Sequence, residues 1–439
     1  MLMLRSSMFA GLALLAVALP IPAGAQIVET AVLPPPDLFS NAGRETGLGQ
    51  DLWTGASAET ARTVLPLLGQ KPLSPASSAL ARAVLATGAR GPDGAGDDPA
   101  LAAARTRALI ALGEAPAAQA ILRRTPGLER HEPLSRAAAE AALLTGADQE
   151  ACDTAQALSV DREQVYWLRL RAYCQARAGE PAARLTYELA QGVERDAVFG
   201  RLIGAKLAGT GDPGAAALRN GLDLALSRSL GLDLSGADPG PGVAAALSAP
   251  PPPEALWPVE AGEGPVAAAI AVLAQGDLAL AEGVRGALVQ DEIPQADRLD
   301  LALLDALIAA ASGREDRATL DRLVERGGVG EAPSRRRAQE AALILAALGT
   351  PLGAQARGEF ATFNLPAAKA PVARTFALGQ AAAAKLQGET ALLALWKSLE
   401  AGPAGPGVAD RAQIIAALAQ AGLSDHARAF AVEGLLALR

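Results

Sequence analysis

The chain has 439 residues and a formal net charge of −8, and only 3% of its residues are aromatic. An acidic chain without a basic face or interleaved aromatic residues is not typical of a nucleic-acid-binding protein. Ala, Leu, Arg and Glu are strong helix formers, and they fill the sequence while β-branched runs are scarce. The composition therefore predicts an all-α protein and argues against nucleic acid as a partner.

Residues 1–25 have the three parts of a secretory signal peptide. Arg5 supplies the positive start, residues 8–19 are an apolar run, and small residues precede an expected cleavage between Ala25 and Gln26. The apolar run is shorter than the ~20 residues of a membrane-spanning helix. The alternative is that the signal peptide is not cleaved and stays as a membrane anchor. A lipoprotein would carry Cys where Gln26 stands. Because the Ala- and Arg-rich composition is typical of a GC-rich bacterial genome, we expect export to the periplasm, without stable membrane insertion after cleavage.

Residues 26–50 are Pro-rich and predict an extended N-terminal segment. Helical periodicity begins near Ser57, and residues 51–233 predict an N-terminal α-solenoid. The loop at 88–100 is rich in Gly and Asp. Its spacing lacks the order of an EF-hand and the closing Glu, so we predict a solvated loop and no metal site there.

A second segment rich in Pro and Gly, residues 234–264, divides the helical part of the chain. Four consecutive prolines at 250–253 exclude a regular helix. We interpret this segment as the joint between two solenoid halves, the second of which is residues 265–439. Trp257 is predicted to fill the joint, with a contact to a partner as the alternative.

Glycines recur between apolar helical runs at intervals of about 32 to 39 residues, with one double interval. They are Gly113, Gly146, Gly179, Gly211, Gly276, Gly313, Gly349, Gly388 and Gly422. Most of them are followed by Ala five residues later, and several by an acidic residue directly. A helical hairpin has a glycine where its first helix ends, an acid at the positive start of its second helix and a small residue where the two helices cross. The recurring pattern has all three features. Such hairpins cannot bury their apolar stripe alone, so the repeat predicts an α-solenoid of stacked αα-hairpins.

The stretch from Tyr166 to Gln191 is the most regular of these units, and it resembles a tetratricopeptide repeat. The matching positions are Trp167, Leu170 and Cys174 on the first helix, and Ala183, Tyr187 and Ala190 on the second. The sequence departs from that pattern in two places: Arg171 replaces the glycine of the first helix, and the turn glycine, Gly179, lies one place late. The resemblance implies a superhelix that presents a groove, for which Arg169 and Arg171 are candidate lining residues, and it specifies no ligand.

Cys152 and Cys174 are the only cysteines. One lies near the start of a second helix and the other late in the next first helix, which brings both to the same end of the stack. In an exported chain this geometry predicts a structural disulfide. The spacing is not that of a redox-active Cys-x-x-Cys pair.

The sequence carries no recognisable catalytic constellation. The two histidines, His131 and His426, do not have zinc-ligand spacing, and no nucleophile elbow or phosphate-binding loop is found. Arg335, Arg336 and Arg337 open a helix and predict a solvated face, with contact to an anionic partner as the alternative. We therefore predict no catalytic, cofactor-binding or metal-binding residue.

Two functions remain open. The first is a non-enzymatic periplasmic scaffold or adaptor that binds a protein partner of the cell envelope through the solenoid surface. The second is an accessory role in peptidoglycan metabolism, because lytic transglycosylases also contain a long α-superhelix. Their catalytic Glu lies in a Glu-Ser context, and the sequence around Glu359 does not match it.

Overall fold

The fold is all-α, as the sequence predicts. A computed structural model describes residues 36–210, 212–248, 264–289 and 298–438. Every regular element in these ranges is a helix, apart from short 3-10 turns and isolated β-bridges. The α-helices are α1 (Ala58–Val64), α2 (Pro75–Ala86), α3 (Pro99–Ala111), α4 (Ala115–Leu122), α5 (Glu132–Leu144), α6 (Asp148–Ala157), α7 (Val165–Ala178), α8 (Ala182–Val193), α9 (Ala197–Ala208), α10 (Gly221–Ser229), α11 (Pro241–Leu247), α12 (Pro265–Ala274), α13 (Leu278–Ala287), α14 (Arg298–Ser312), α15 (Arg317–Gly328), α16 (Ala332–Ala347), α17 (Ala354–Phe360), α18 (Val372–Ala383), α19 (Gln387–Leu399), α20 (Val408–Gln420) and α21 (Ser424–Leu436).

Neighbouring helices pack as hairpins across short turns. The pairs are α3 with α4, α5 with α6, α7 with α8, α12 with α13, α14 with α15, α18 with α19, and α20 with α21. Most of the predicted turn glycines take the positive φ that favours glycine; they are Gly113, Gly146, Gly179, Gly276, Gly313, Gly349 and Gly422. The predicted small residue at the crossing is buried in four units, at Ala118, Ala151, Ala281 and Ala427. Ala216 is half-buried, and Ala318 and Ala354 are exposed. Gly211 lies outside the described residues.

Two of the predicted turns differ from this scheme. Gly388 is not a turn residue: it lies within α19, and Lys385 takes the positive φ instead. A side chain at Gly388 would meet the Trp53 ring at 2.5 Å and the Leu52 carbonyl at 2.7 Å, so glycine is required for close packing. After Gly349 the short helix α17 packs on α15 rather than on α16.

The first and last helices of the chain pack against each other. Helix α1 contacts α19, and α2 contacts both α19 and α21. One hydrophobic core consequently includes residues from both predicted solenoids, from Leu38 to Leu436. A second core lies among α5, α6, α7, α9 and α10.

Two carboxylates, the half-buried Glu389 and the buried Glu433, reinforce this contact between distant parts of the sequence. Glu389 on α19 accepts hydrogen bonds from the Ser57 backbone N–H and the Thr60 hydroxyl, both at 3.2 Å. Glu433 on α21 accepts one from the Ala76 N–H at 2.9 Å. Both acids thus lie at the positive N-terminal ends of α1 and α2, where an anion is stabilised.

The described part of the N-terminal segment, residues 36–50, contains no helix and packs onto the solenoid. Arg105 on α3 is fully buried beneath it, with the guanidinium 5.2 Å from the centre of the Phe39 ring. Its nitrogens donate to carbonyl oxygens of Phe39, Asn41, Leu85 and Thr87 at 2.7 to 3.1 Å. Burial lowers the pKa of Arg105 to about 10, against the smaller opposing effect of Asp37.

Part of the predicted joint can be compared with the structure. Within residues 234–248, helix α11 packs on α3 and α10. Residues 249–263, including the prolines at 250–253 and Trp257, lie outside the described residues, as do residues 1–35 with the expected cleavage site at Ala25 and Gln26. In the described ranges no helix is both long and apolar enough to cross a membrane.

Candidate binding surface

The aromatic-rich stretch at 166–191 forms the hairpin of α7 and α8, and most of its aromatic residues belong to the core. Trp167 and Tyr173 are fully buried. The indole N–H of Trp167 donates to Glu132 at 3.1 Å, and the Tyr173 hydroxyl donates to Asp148 at 2.8 Å. Both polar groups of these side chains are therefore satisfied within the stack, which is the pattern of structural residues.

The predicted disulfide is present between Cys152 and Cys174, with their Cα atoms 5.6 Å apart. It joins α6 to α7 across two successive hairpins. Both cysteines are half-buried. The bond fixes the spacing of the two helices at the end of the stack where the chain turns into α8.

An open cavity of about 560 Å³ lies against this disulfide, a volume in the range of small-ligand sites. Three arginines line it: Arg162 from the loop before α7, and Arg171 and Arg177 from α7. The wall also contains the amides of Gln149, Gln156 and Gln175. Sequence reasoning selected Arg171 as a candidate groove residue, whereas Arg162 carried no signal because it stands outside the repeat pattern.

The three arginines donate to neutral groups. Arg171 donates to the carbonyl oxygens of Trp167 at 3.3 Å and Arg162 at 2.5 Å, and Arg177 donates to the Gln149 side chain at 2.8 Å. Arg162 donates to the carbonyls of Gln156 and Leu158. Among the ion pairs of the described residues, none includes Arg162, Arg171 or Arg177. The pKa of Arg171 is lowered by burial and by the charge of Arg162.

Arg169, the other candidate groove residue, has a different environment. Its guanidinium pairs with Glu194 at 2.9 Å and with Asp196 at 3.5 Å. It also lies 5.7 Å from the centre of the Phe199 ring. Arg169 therefore ties α7 to the start of α9, and its charge is already balanced by two acids.

A second polar cluster lies between α5, α7 and α10. Oε2 of Glu140 accepts the Gly221 backbone N–H at 2.8 Å, while Oε1 and the neighbouring Tyr166 hydroxyl are buried without a hydrogen-bond partner in the described residues. Burial raises the pKa of Glu140, and burial together with the charge of Glu140 raises that of Tyr166. The Arg136 guanidinium covers the Tyr166 ring at 4.6 Å. Shifted pKa values are found both at functional sites and in structural networks. Because packed helices enclose this cluster, we interpret it as a structural network.

Helix α8 exposes a row of apolar side chains to solvent. Leu185, Leu189 and Val193 are 62%, 55% and 61% exposed, whereas Ala183 and Ala190 on the opposite face are buried. Residues four apart lie one above the other on a helix, so the three form one continuous ridge. We call these three residues the α8 row. Helix α8 contacts α7 and, less extensively, α9, and the row lies on its outward face.

A smaller apolar surface lies on α18, where Val372 is 86% and Phe376 is 68% exposed. The positions that continue this face are small or polar, namely Gly379, Gln380 and Ala383. The side chain of Arg374 turns away to pair with Glu400 at 2.7 Å and stack on Trp396 at 4.1 Å. This face is shorter and flatter than the α8 row.

The remaining sequence candidates occupy structural positions. His131 is the residue before α5, and His426 is half-buried at the start of α21, where burial lowers its pKa. Arg336 pairs with Glu340 at 3.0 Å and Arg337 with Asp300 at 2.9 Å, which leaves Arg335 facing solvent. Within the described ranges, no three His, Cys, Asp or Glu side chains are grouped so as to hold a metal.

Comparison of the chain with protein-family models, with curated proteins and with solved structures finds no match in any of the three.

Proposed function

We propose that this protein is a non-enzymatic scaffold or adaptor of the bacterial periplasm that binds a partner protein of the cell envelope. In this proposal the chain is a tetratricopeptide-like solenoid, stapled by Cys152–Cys174 and exported through the signal peptide at residues 1–25. A disulfide is compatible with an oxidising compartment.

The observation that carries the proposal is the α8 row. A contiguous row of large apolar side chains on the surface marks an interaction site, because soluble proteins rarely expose such patches. Helix α8 presents two leucines and a valine on three successive turns. Burying one such side chain in a complex contributes about 1.5 to 3 kcal/mol, so a partner that covers the row gains a substantial part of a specific binding energy.

The geometry of the row suggests how a partner binds. An apolar ridge at positions i, i+4 and i+8 is the surface that a helix offers to the groove between two helices of another protein. The exposed charged residues beside it, Arg184 and Glu188, form a polar rim. The expected partner is therefore a folded protein with an apolar groove bordered by polar residues.

The proposal is tested by crosslinking the tagged full-length protein in cells and identifying the proteins purified with it. We expect a stoichiometric envelope protein that is lost in the variant Leu185→Gln/Leu189→Gln. The control Val372→Gln/Phe376→Gln on α18 should retain it. Recovery of the protein alone, or with glycan fragments, would contradict the proposal, and the glycan outcome would favour the accessory role in peptidoglycan metabolism.

The proposed location has its own test. Fractionation should place the protein in the periplasm, and N-terminal sequencing of the recovered protein should begin at Gln26. A protein recovered from the cytoplasm with its first residues intact would contradict export.

A further inference from the structure

The cavity beside the disulfide has an unusual distribution of charge. Arg162, Arg171 and Arg177 contribute three positive charges to its lining, and Asp153 and Glu180 contribute two negative ones. The lining therefore has a net formal charge of +1, in a chain whose overall charge is −8. A positive cavity on an acidic protein attracts anions selectively to that point.

The two inner arginines are close enough to repel each other. The charge of Arg162 contributes to the lowered pKa of Arg171, and Arg171 donates to the backbone carbonyl of Arg162 at 2.5 Å. No carboxylate of the described residues forms an ion pair with either group, although such pairs are common elsewhere in the chain. An anion placed between two like charges removes their repulsion, so this arrangement is suited to binding one.

Each guanidinium also keeps donors for a ligand. The hydrogen bonds within the described residues use Nη1 of Arg162, Nε and Nη2 of Arg171, and Nη1 of Arg177. Nη2 of Arg162, Nη1 of Arg171 and Nη2 of Arg177 make none there. Planar guanidinium groups match the two oxygens of a carboxylate in geometry and charge.

The rest of the lining indicates the ligand class. A net charge of +1 is balanced by one carboxylate, whereas a doubly charged phosphate would exceed it and be repelled more strongly by Asp153 and Glu180. Gln175 also lines the cavity, but its side-chain oxygen is buried, so the arginines are the donors that a ligand reaches. We propose that the cavity binds a carboxylate-bearing ligand, either a small organic acid or an acidic side chain on a peptide.

This site is separate from the α8 row, so its test does not depend on the proposed scaffold function. The test is isothermal titration calorimetry of the full mature protein at low ionic strength, with probes that differ in one group. The probes are acetyl-Ala-Glu-Ala-amide, its neutral counterpart acetyl-Ala-Gln-Ala-amide, propionate and inorganic phosphate. We expect the Glu peptide or propionate to bind at least about tenfold more tightly than the Gln peptide and phosphate.

Binding of the Glu peptide indicates a peptide ligand, whereas binding of the small acid alone indicates a free organic acid. Arg162→Gln and Arg171→Gln should each weaken binding by about tenfold, because a charge-assisted hydrogen bond is lost. Arg171→Lys, which keeps the charge without the fork, should weaken it less. The control Arg335→Gln removes an exposed arginine of α16 that does not line this cavity, and it should bind normally. An unchanged unfolding midpoint in each variant shows that the fold is retained.

Binding of neither carboxylate probe would overturn the assignment, and so would binding of the Gln peptide or of phosphate as tight as that of the better carboxylate. So would carboxylate binding that persists at full strength in the folded Arg162→Gln/Arg171→Gln variant. The expected affinity also falls as salt is added, because these arginines are only partly buried and their charges are screened.

Discussion

The carboxylate of Glu433 accepts a hydrogen bond from the backbone N–H of Ala76 at 2.9 Å, although 357 residues separate them. Its other oxygen accepts from Arg411, and both charged side chains are buried. Since Ala76 lies in the first turn of α2, one acid near the end of the chain both neutralises a buried arginine and caps a helix near the beginning. The last helices of the chain are in this way attached to the first.

Replacing Glu433 should therefore be costly. Glu433→Ala leaves the Arg411 charge buried without a partner and removes the acceptor of the Ala76 N–H, so we expect a loss of about 3 to 5 kcal/mol in the free energy of unfolding. Urea denaturation followed by circular dichroism measures it. The control Glu389→Ala removes a half-buried cap of α1 and should cost only about 1 kcal/mol. Equal effects of the two substitutions would contradict the role assigned to Glu433.

Replacing the fully buried Arg105 should destabilise the protein nearly as much. Arg105→Met removes the guanidinium donors from carbonyl oxygens of the N-terminal segment and of the end of α2, at about 1 to 3 kcal/mol for each oxygen that is left without another donor and that water cannot reach. We expect a clear loss of stability together with faster proteolysis within residues 36–50. Arg82→Met is the matched control, since Arg82 donates to one carbonyl, that of Leu112. Equal protease resistance of both variants would show that Arg105 does not hold the segment.

Removing the disulfide should lower stability by about 3 kcal/mol in the chain-entropy account. The variant is Cys152→Ala/Cys174→Ala, and the bond closes a loop with a sequence separation of 22. Unfolding of the wild type in reductant should reproduce the loss, while the variant should be insensitive to reductant. Two free thiols in unreduced protein recovered from cells would contradict the staple.

Glu140 should give the protein a distinctive pH dependence. Burial raises its folded pKa above the ordinary value of 4.5, so the folded state binds the proton more tightly than the unfolded state. The stabilisation from Glu140 is fully present below pH 4.5 and is lost as the pH rises through the folded pKa.

The variant Glu140→Gln isolates this effect. The difference in unfolding free energy between wild type and variant should shift in favour of the wild type as the pH falls through that window. His426 has the opposite sign, because burial lowers its pKa, so its stabilisation is lost as the pH falls below 6.5. Wild type and Glu140→Gln are therefore compared with each other at each pH, because both contain His426. A difference that does not change with pH would mean that Glu140 titrates normally.

The hairpins could be predicted from the sequence because their signals are local. A glycine such as Gly146 that must take a positive φ is visible without any knowledge of its neighbours. Gly388 shows the limit: it was predicted to be a turn residue, but its absent side chain makes room for Trp53, a contact between distant parts of the chain. The attachment of α21 to α2 is of the same kind, since nothing near Glu433 in the sequence indicates a partner at Ala76.

The surfaces were only partly predictable for a related reason. The i, i+4, i+8 spacing of Leu185, Leu189 and Val193 is legible in the sequence, but it equally describes a core stripe, and only the packing shows that α7 covers the other face. Arg171 could be selected, together with Arg169, because it is interleaved with the stretch that matches the repeat pattern. Arg162 lies in an irregular loop, and its position beside Arg171 depends on the fold of that loop.

The most direct test of the scaffold account is site-specific photo-crosslinking in cells, with the photoreactive residue placed at position 189 and, in a second strain, at Val329. Val329 is 63% exposed on another part of the protein. We predict a discrete adduct with one envelope protein from position 189, abolished by Leu185→Gln, and none from position 329. Adducts of the same size and yield from both positions, or no adduct from position 189 in protein that is folded and exported, would contradict the α8 row as a docking surface.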